Sequence, residues 1–448
     1  MRLSNRLNLS YTKLSAIGFV ILIFTGAILL SLPISSRSEI GTPFIDALFT
    51  ATSATCVTGL IVYDTYSHFS VFGQSIILLL IQIGGLGFMM IGTMFMLVLR
   101  RKIGIRERGL LKDSVSTDYI GGVVRLAKHI LVGTFIIEGI GALILSIKFS
   151  YEMELLPAIF NGIFHSVSAF CNAGFDLMGR YGRFTSLTRY SGDLVVNTVI
   201  MSLIIIGGIG FVVWEDIYNN KLNMEKYKLH SKIVLITTIL LIITSALGFY
   251  ILEKRNLMLD LSIKEIILTS LFQAVTPRTA GFNTIDTASL SEGSKLLTMI
   301  LMIIGGSPGS TAGGIKTTTF VVAILTVISS VKRTNYLNIY NRRLEESILS
   351  RAYSIITIYL IGATFAMLII SFSQPELILG DIVFEVFSAI GTVGMSTGIT
   401  SRFNTISKII IILSMYCGRV GSLSVLLAVT ESKSNVILKK PVEKIIIG

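Results

Sequence analysis

The sequence predicts an all-α integral membrane protein. Eight transmembrane helices and four re-entrant pore helices form four pseudo-symmetric helix–pore-loop–helix units around one central pore. Three observations predict this fold. The 448 residues are 52% hydrophobic and only 14% charged, against roughly 25% charged in a soluble domain. Eight nearly uncharged stretches, 14–33, 71–99, 129–147, 194–214, 233–252, 296–330, 352–372 and 409–430, can each cross the membrane, whose hydrocarbon is ~30 Å thick. Four shorter apolar segments, 43–54, 157–170, 264–276 and 381–390, cannot span, and each lies between two spans on the same side. Re-entrant helices fit that length and position, because polar backbone at that depth is tolerated only where it lines a water-filled path.

The first span follows Arg2, Arg6 and Lys13, as the core of a signal peptide would. It is longer than a typical signal core, lacks a small-x-small cleavage site and is followed by further spans, so it reads as a retained helix. If the eight spans alternate, 24 of the 38 basic residues fall on the side of the two termini. The positive-inside rule then places both termini in the cytoplasm of a multi-pass protein of the cytoplasmic membrane. The net charge of +12 is therefore a topogenic signal, and no nucleic-acid partner is expected. The opposite side carries slightly more acids than bases, which mildly concentrates cations.

The short segments are followed by a repeated pattern. The four copies read Ser53-Ala-Thr-Cys-Val-Thr-Gly59-Leu60, Ser168-Ala-Phe-Cys-Asn-Ala-Gly174-Phe175, Val275-Thr-Pro-Arg-Thr-Ala-Gly281-Phe282 and Ser388-Ala-Ile-Gly-Thr-Val-Gly394-Met395. Phe49, Phe164, Leu271 and Phe384 stand ten residues before the glycines. A second glycine cluster follows in each unit: Gly84-Gly85-Leu86-Gly87, Gly207-Gly208-Ile209-Gly210, Gly305-Gly306-Ser307-Pro308-Gly309 and Gly418-Arg419-Val420-Gly421. One such match would be ordinary helix packing. Four in phase with four spans divide the chain into units at 1–112, 113–222, 223–345 and 346–448.

Rings of backbone carbonyls can replace the hydration shell of a potassium ion. Aiming them at an axis needs a residue that tolerates positive φ, which glycine supplies. The candidate ligands are the carbonyls of Val57, Thr58 and Gly59, of Asn172, Ala173 and Gly174, of Thr279, Ala280 and Gly281, and of Thr392, Val393 and Gly394. Their side chains differ between copies, so the backbone must carry the coordination. No ring of four acids appears, which argues against a calcium-type filter. Arg278, just before the third glycine, is expected to pair with a carboxylate.

On these stretches, together with Ile81-Gln-Ile-Gly-Gly-Leu-Gly-Phe88 and Gly309-Ser-Thr-Ala-Gly-Gly-Ile-Lys316, the chain resembles the membrane subunit of the Trk/Ktr/HKT superfamily of potassium transporters, closest to the bacterial KtrB branch. The resemblance covers nearly the whole chain. It implies K+ as the transported ion, bound at the filter carbonyls, with Na+ a second candidate and no resident cofactor. Glycine at position 59 fits the potassium type, since members with serine there tend towards sodium. The resemblance also implies a homodimer seated on a cytoplasmic ring of nucleotide-binding regulatory subunits.

The span 296–330 is interrupted by Gly305, Gly306, Ser307, Pro308, Gly309, Ser310, Thr311, Ala312, Gly313, Gly314 and, past Ile315, Lys316. Five glycines and a proline cannot make a regular helix. A gating loop in the permeation path and a kinked, packed helix are the two readings, and the resemblance favours the gate. Lys316 either holds the loop's lower end, repels cations, or snorkels to the cytoplasm. Arg419, an arginine at membrane depth, is either a latch on the freed carbonyls of 305–316 or a barrier in the pore; the latch is favoured. Glu138 reads as a packing or interface carboxylate.

Other function classes fare worse. Cys56, Cys171 and Cys417 have no metal-ligand spacing, and His68, His129, His165 and His230 are scattered, so no hydrolase or transferase constellation appears. No phosphate-loop motif is present. An enzyme is not expected. A carrier of inverted halves would not give four units of the same sense.

Overall fold

The computed structural model describes residues 11–87, 121–221, 223–333, 337–340 and 342–421, with isolated positions between 90 and 112. Arg2 and Arg6, most of the basic stretch 100–120 and the tail 422–448 lie outside the described residues.

Nearly all described structure is helical. Four long helices open the units: α1 (Tyr11–Ser31), α4 (Val123–Phe149), α8 (Leu229–Glu253) and α12 (Glu346–Ser373). Each is long and apolar enough to cross a membrane. Each is followed by a short re-entrant helix: α2 (Phe44–Thr55), α5 (Leu155–Phe170), α9 (Ile263–Val275) and α13 (Leu379–Ile390). These match the four short segments of the sequence to within two residues at either end. The only strands among the described residues are a two-residue ribbon, β1 (Asn338–Ile339) with antiparallel β2 (Arg342–Arg343).

The second long element is broken in the second and third units and, among the described residues, ends at a glycine in the first and fourth. In the first unit it is α3 (Val71–Leu86), in the second α6 (Leu194–Gly208) and α7 (Phe211–Asn220), in the third α10 (Glu292–Ile303) and α11 (Thr317–Val331), in the fourth α14 (Thr405–Val420). Their starts are alike: the side chains of Ser70, Asp193, Ser291 and Asn404 each accept a backbone N–H of the first turn, satisfying one of its orphan donors. Their ends are alike in three units. Gly87, Gly210 and Gly421 have φ of 85°, 94° and 92° with extended ψ, a conformation closed to L side chains. The sequence reads 194–214 as one continuous span. The structure instead bends it by 97° between α6 and α7, because Gly210 leaves the helix.

The repeat on the buried side also needs a correction in the third unit. Phe49, Phe164 and Phe384 are fully buried, but in the third copy it is Phe272 that is buried, and Leu271 only partly so. The pore helix there is offset by one residue. In the other three copies the N–H just before the glycine bonds the carbonyl five residues back (Thr58 to Ser53, Ala173 to Ser168, Val393 to Ser388, all 2.8 Å), whereas Ala280 bonds Thr276, four back, at 2.9 Å.

Candidate functional site

The four short helices bring their C-terminal ends together. A Cβ built on Gly59 would lie 2.5 Å from the Ala173 carbonyl oxygen, 3.2 Å from Gly174 Cα and 3.3 Å from Gly394 Cα. On Gly174 it would meet Ala280 O at 2.7 Å and Gly281 Cα at 3.0 Å, and on Gly281 it would meet Val393 O at 2.5 Å. On Gly394 it would overlap the Thr58 carbonyl. The glycines thus form one closed ring in the order 59, 174, 281, 394, each against the carbonyl that precedes the next. Any side chain would fill the axis.

The backbone alternates in hand. Gly59, Gly174, Gly281 and Gly394 have φ of 93°, 69°, 77° and 89°, and the residues two before them, Val57, Asn172, Thr279 and Thr392, have φ of 56°, 58°, 70° and 52°. Alternating signs of φ turn successive carbonyls towards the same side. A left-handed non-glycine residue is uncommon and costs on the order of 1 kcal/mol, so four at one repeat position mark a shared constraint. A hydroxyl anchors each turn. Ser53 and Ser388 accept the N–H of Gly59 (3.1 Å) and Gly394 (3.0 Å). Ser168 and Thr276 donate to the carbonyls of Phe175 (2.7 Å) and Phe282 (2.6 Å). Directly after the glycines, Leu60, Phe175, Phe282 and Met395 are buried.

All four glycines floor one vestibule of about 560 Å3. Asp176, Asp286, Asn283, Ser396 and Thr397 line its wall. Burial pushes the Asp176 carboxyl up to about 7, and the Asp64 charge nearby adds to the rise.

Beneath the ring lies the interrupted third-unit helix. Ile304 and Ile315 pair side by side, with Gly305 N–H on Ile315 O at 2.8 Å, so the loop leaves and returns at one point. Its tip is pinned to the other units. Thr311 Oγ1 donates to Phe170 O (3.1 Å), and its N–H to Gly207 O (3.3 Å). Ser307 N–H reaches Gly208 O at 3.0 Å, and the Phe211 N–H reaches Gly309 O at 2.8 Å. Gly313 sits against the Thr392 side chain, where a Cβ would not fit.

Arg419 bridges the loop to the first unit. It donates to Thr311 O, to Gly84 O at 2.5 Å and to Gly85 O at 2.8 Å. Lys316 Nζ bonds Ala312 O within the loop at 2.6 Å. Glu138 is buried, accepts from Gln82 Nε2 at 3.1 Å and packs between α3 and α4. Arg278 departs from expectation. No carboxylate pairs with it among the described residues; it lies buried and donates to Thr238 Oγ1 of α8 at 3.4 Å. The turn at Pro277 and the one-residue offset of the third pore helix carry it behind the ring, away from the acids of the mouth.

Residues 5–438 match the TrkH family of cation transport proteins. The chain belongs to this family. It is 41% identical to the potassium/sodium uptake protein NtpJ of Enterococcus hirae, across 99% of this chain and 98% of that protein. It is 42% identical to the Ktr system potassium uptake protein B of Bacillus subtilis, across 94% and 93%. Among solved structures, the potassium transporter TrkH of Vibrio parahaemolyticus superposes with a TM-score of 0.71, over 93% of this chain and 85% of that one, at 18% identity, and so shares the fold. The chain is a membrane transport protein of the KtrB-like branch and not an enzyme.

The glycines and the loop are legible in the sequence. The left-handed residues before each glycine are not legible as a repeat, and neither are two buried groups on the pore helices, His165 and Glu385. The polar residue following each buried phenylalanine was the available signal.

Proposed function

We propose that this protein takes up potassium across the cytoplasmic membrane, with the carbonyls of Val57–Gly59, Asn172–Gly174, Thr279–Gly281 and Thr392–Gly394 as its selectivity filter. The ring of four glycines flooring a single vestibule carries this reading. Carbonyl rings replace lost hydration, and the C-terminal ends of four pore helices add partial negative charge at the same point. The relatives' names support potassium as cargo, and one of them, a potassium/sodium uptake protein, keeps sodium as a second ion.

The loop 305–316 is the gate in this reading. It lies below the ring, bonded to the second unit directly and to the fourth through Arg419, and Arg419 is its latch. The four units are 1–112, 113–222, 223–345 and 346–448, with both termini cytoplasmic. A relative named as one component of a Ktr system supports a separate regulatory partner. A homodimer on a cytoplasmic nucleotide-binding ring would meet the basic inner face.

The deciding test is rubidium uptake by the full chain in cells lacking other potassium uptake, with and without sodium, for the natural protein and Gly59→Ser. The natural protein should restore uptake, and Gly59→Ser should weaken preference for potassium over sodium. Absence of alkali-cation uptake with the protein inserted would overturn the proposal.

A further inference from the structure

The buried phenylalanines Phe49, Phe164, Phe272 and Phe384 set a structural register for the pore helices. The next residue in that register is polar in every unit: Thr50, His165, Gln273 and Glu385, all at most 2% exposed. Two of them reach forward to the chain beyond the filter glycine. Glu385 accepts from the Ser396 hydroxyl and, at 3.0 Å, from Thr400 Oγ1. His165 Nε2 accepts the Leu177 N–H at 3.3 Å, while Nδ1 meets Asn161 O at 2.7 Å. Nε2 therefore carries no proton, and Nδ1 donates to the helix.

Both braces act on the chain just past the filter. Leu177 stands three residues past Gly174, and Ser396 and Thr400 stand two and six residues past Gly394. Those glycines lie diagonally across the ring, since Gly59 and Gly281 each touch both of them. The other limbs are held differently. Thr50 turns back to Asp46 O in its own helix at 2.9 Å. Limb three is tied sideways, with Asn283 N–H on Ser186 Oγ (3.1 Å) and Leu187 N–H on Asn283 O (2.9 Å).

We infer that His165 and Glu385 are paired positioning residues that set the filter's preference for potassium over sodium. The inference rests on the filter reading above. A carbonyl ring discriminates by the number and placement of its oxygens, and a site held loosely by its supporting shell loses that placement. With limbs two and four fixed from behind, the ring cannot contract onto the smaller ion. Without the braces, the limbs carrying Gly174 and Gly394 can close inward.

The test uses the full chain in cells lacking other potassium uptake, with membrane insertion measured for every variant. Glu385→Ala and His165→Leu should each lower the rubidium-over-sodium preference by about fivefold, the scale of one lost buried hydrogen bond. Glu385→Gln keeps a carbonyl acceptor and should hold preference within about twofold of the natural protein. Thr400→Val removes one donor without touching the pore helix and should shift preference in the same direction, so the question stays decidable if a brace variant fails to insert. Slower uptake at unchanged preference in every inserted variant would mean a merely structural role and overturns the inference. Gly59→Ser separates the two readings. A shift there with none in the brace variants defeats only the braces; no shift in Gly59→Ser defeats the filter itself.

Discussion

Asp176 stands two residues beyond Gly174, at the wall of the vestibule, where its charge state matters most to an entering cation. Burial raises its carboxyl to about 7, with the Asp64 carboxylate contributing in the same direction; the Met178 N–H, at 2.9 Å, and the Ser186 side chain partly offset the rise. A raised carboxyl is ionised above that pH and neutral below it. The apparent KM for potassium should therefore rise as external pH falls from about 8 to about 6, by up to roughly fivefold, since one charge ~4 Å away across water contributes about 1 kcal/mol. Asp176→Asn should give the weaker affinity at every pH and a flat profile. A profile that persists in Asp176→Asn would assign the titration elsewhere. At this scale the sequence reveals the glycines, because positive φ and a neighbouring carbonyl crowding each Cβ position both favour that one residue type. It hides the left-handed positions, because Val57, Asn172, Thr279 and Thr392 share no residue type. It hides Glu385 and His165 for a related reason: alignment on the glycine sets the third copy one residue out of register, so the polar position is not seen as a repeat.

The broken inner helices concentrate irregular backbone where the four units meet. Two or three glycines within an apolar run read as close packing, so Gly87, Gly210 and Gly421 give no warning of a helix end, whereas the dense run 305–314 in the third unit could not be helical. That loop leaves carbonyls without helical partners at membrane depth, and the guanidinium of Arg419 takes one of them together with those of Gly84 and Gly85. Hydrogen bonds from a charged donor contribute roughly 1.5–3 kcal/mol each, but much of that offsets the burial of the charge. Arg419→Met removes bonds and charge together. It should free the loop and raise rubidium flux by about tenfold, equivalent to ~1.4 kcal/mol of gate stability, at unchanged ion preference. Abolished flux in a normally inserted Arg419→Met protein would exclude the latch. A changed ion preference would place the arginine's effect in the filter instead.

Four units in one chain make a ring only if the last unit closes on the first. The sequence shows the repeats and their common sense, but not the contacts of that seam, because its partners are 362 residues apart. The seam joins α14 to α1 and α2. Tyr416 donates to Ala16 O at 2.9 Å. Lys408 meets Asp46, in the first turn of the first pore helix, at 2.5 Å, and Tyr63 donates to the other oxygen of Asp46 at 3.0 Å. The Lys408 and Asp46 side chains are only 13% and 6% exposed. Removing one partner of a buried pair strands the other and costs roughly 3–5 kcal/mol, while removing both relieves most of that cost. Asp46→Asn and Lys408→Met should thus each lower the unfolding midpoint of the detergent-purified protein, with Lys408→Met the more damaging because it leaves a buried anion. The double variant should recover most of the loss. Because the pair sits at the base of the first limb, the single variants should also weaken potassium preference, and the double variant should restore stability without fully restoring preference. Additive losses in the double variant would show that the two residues do not act as a pair.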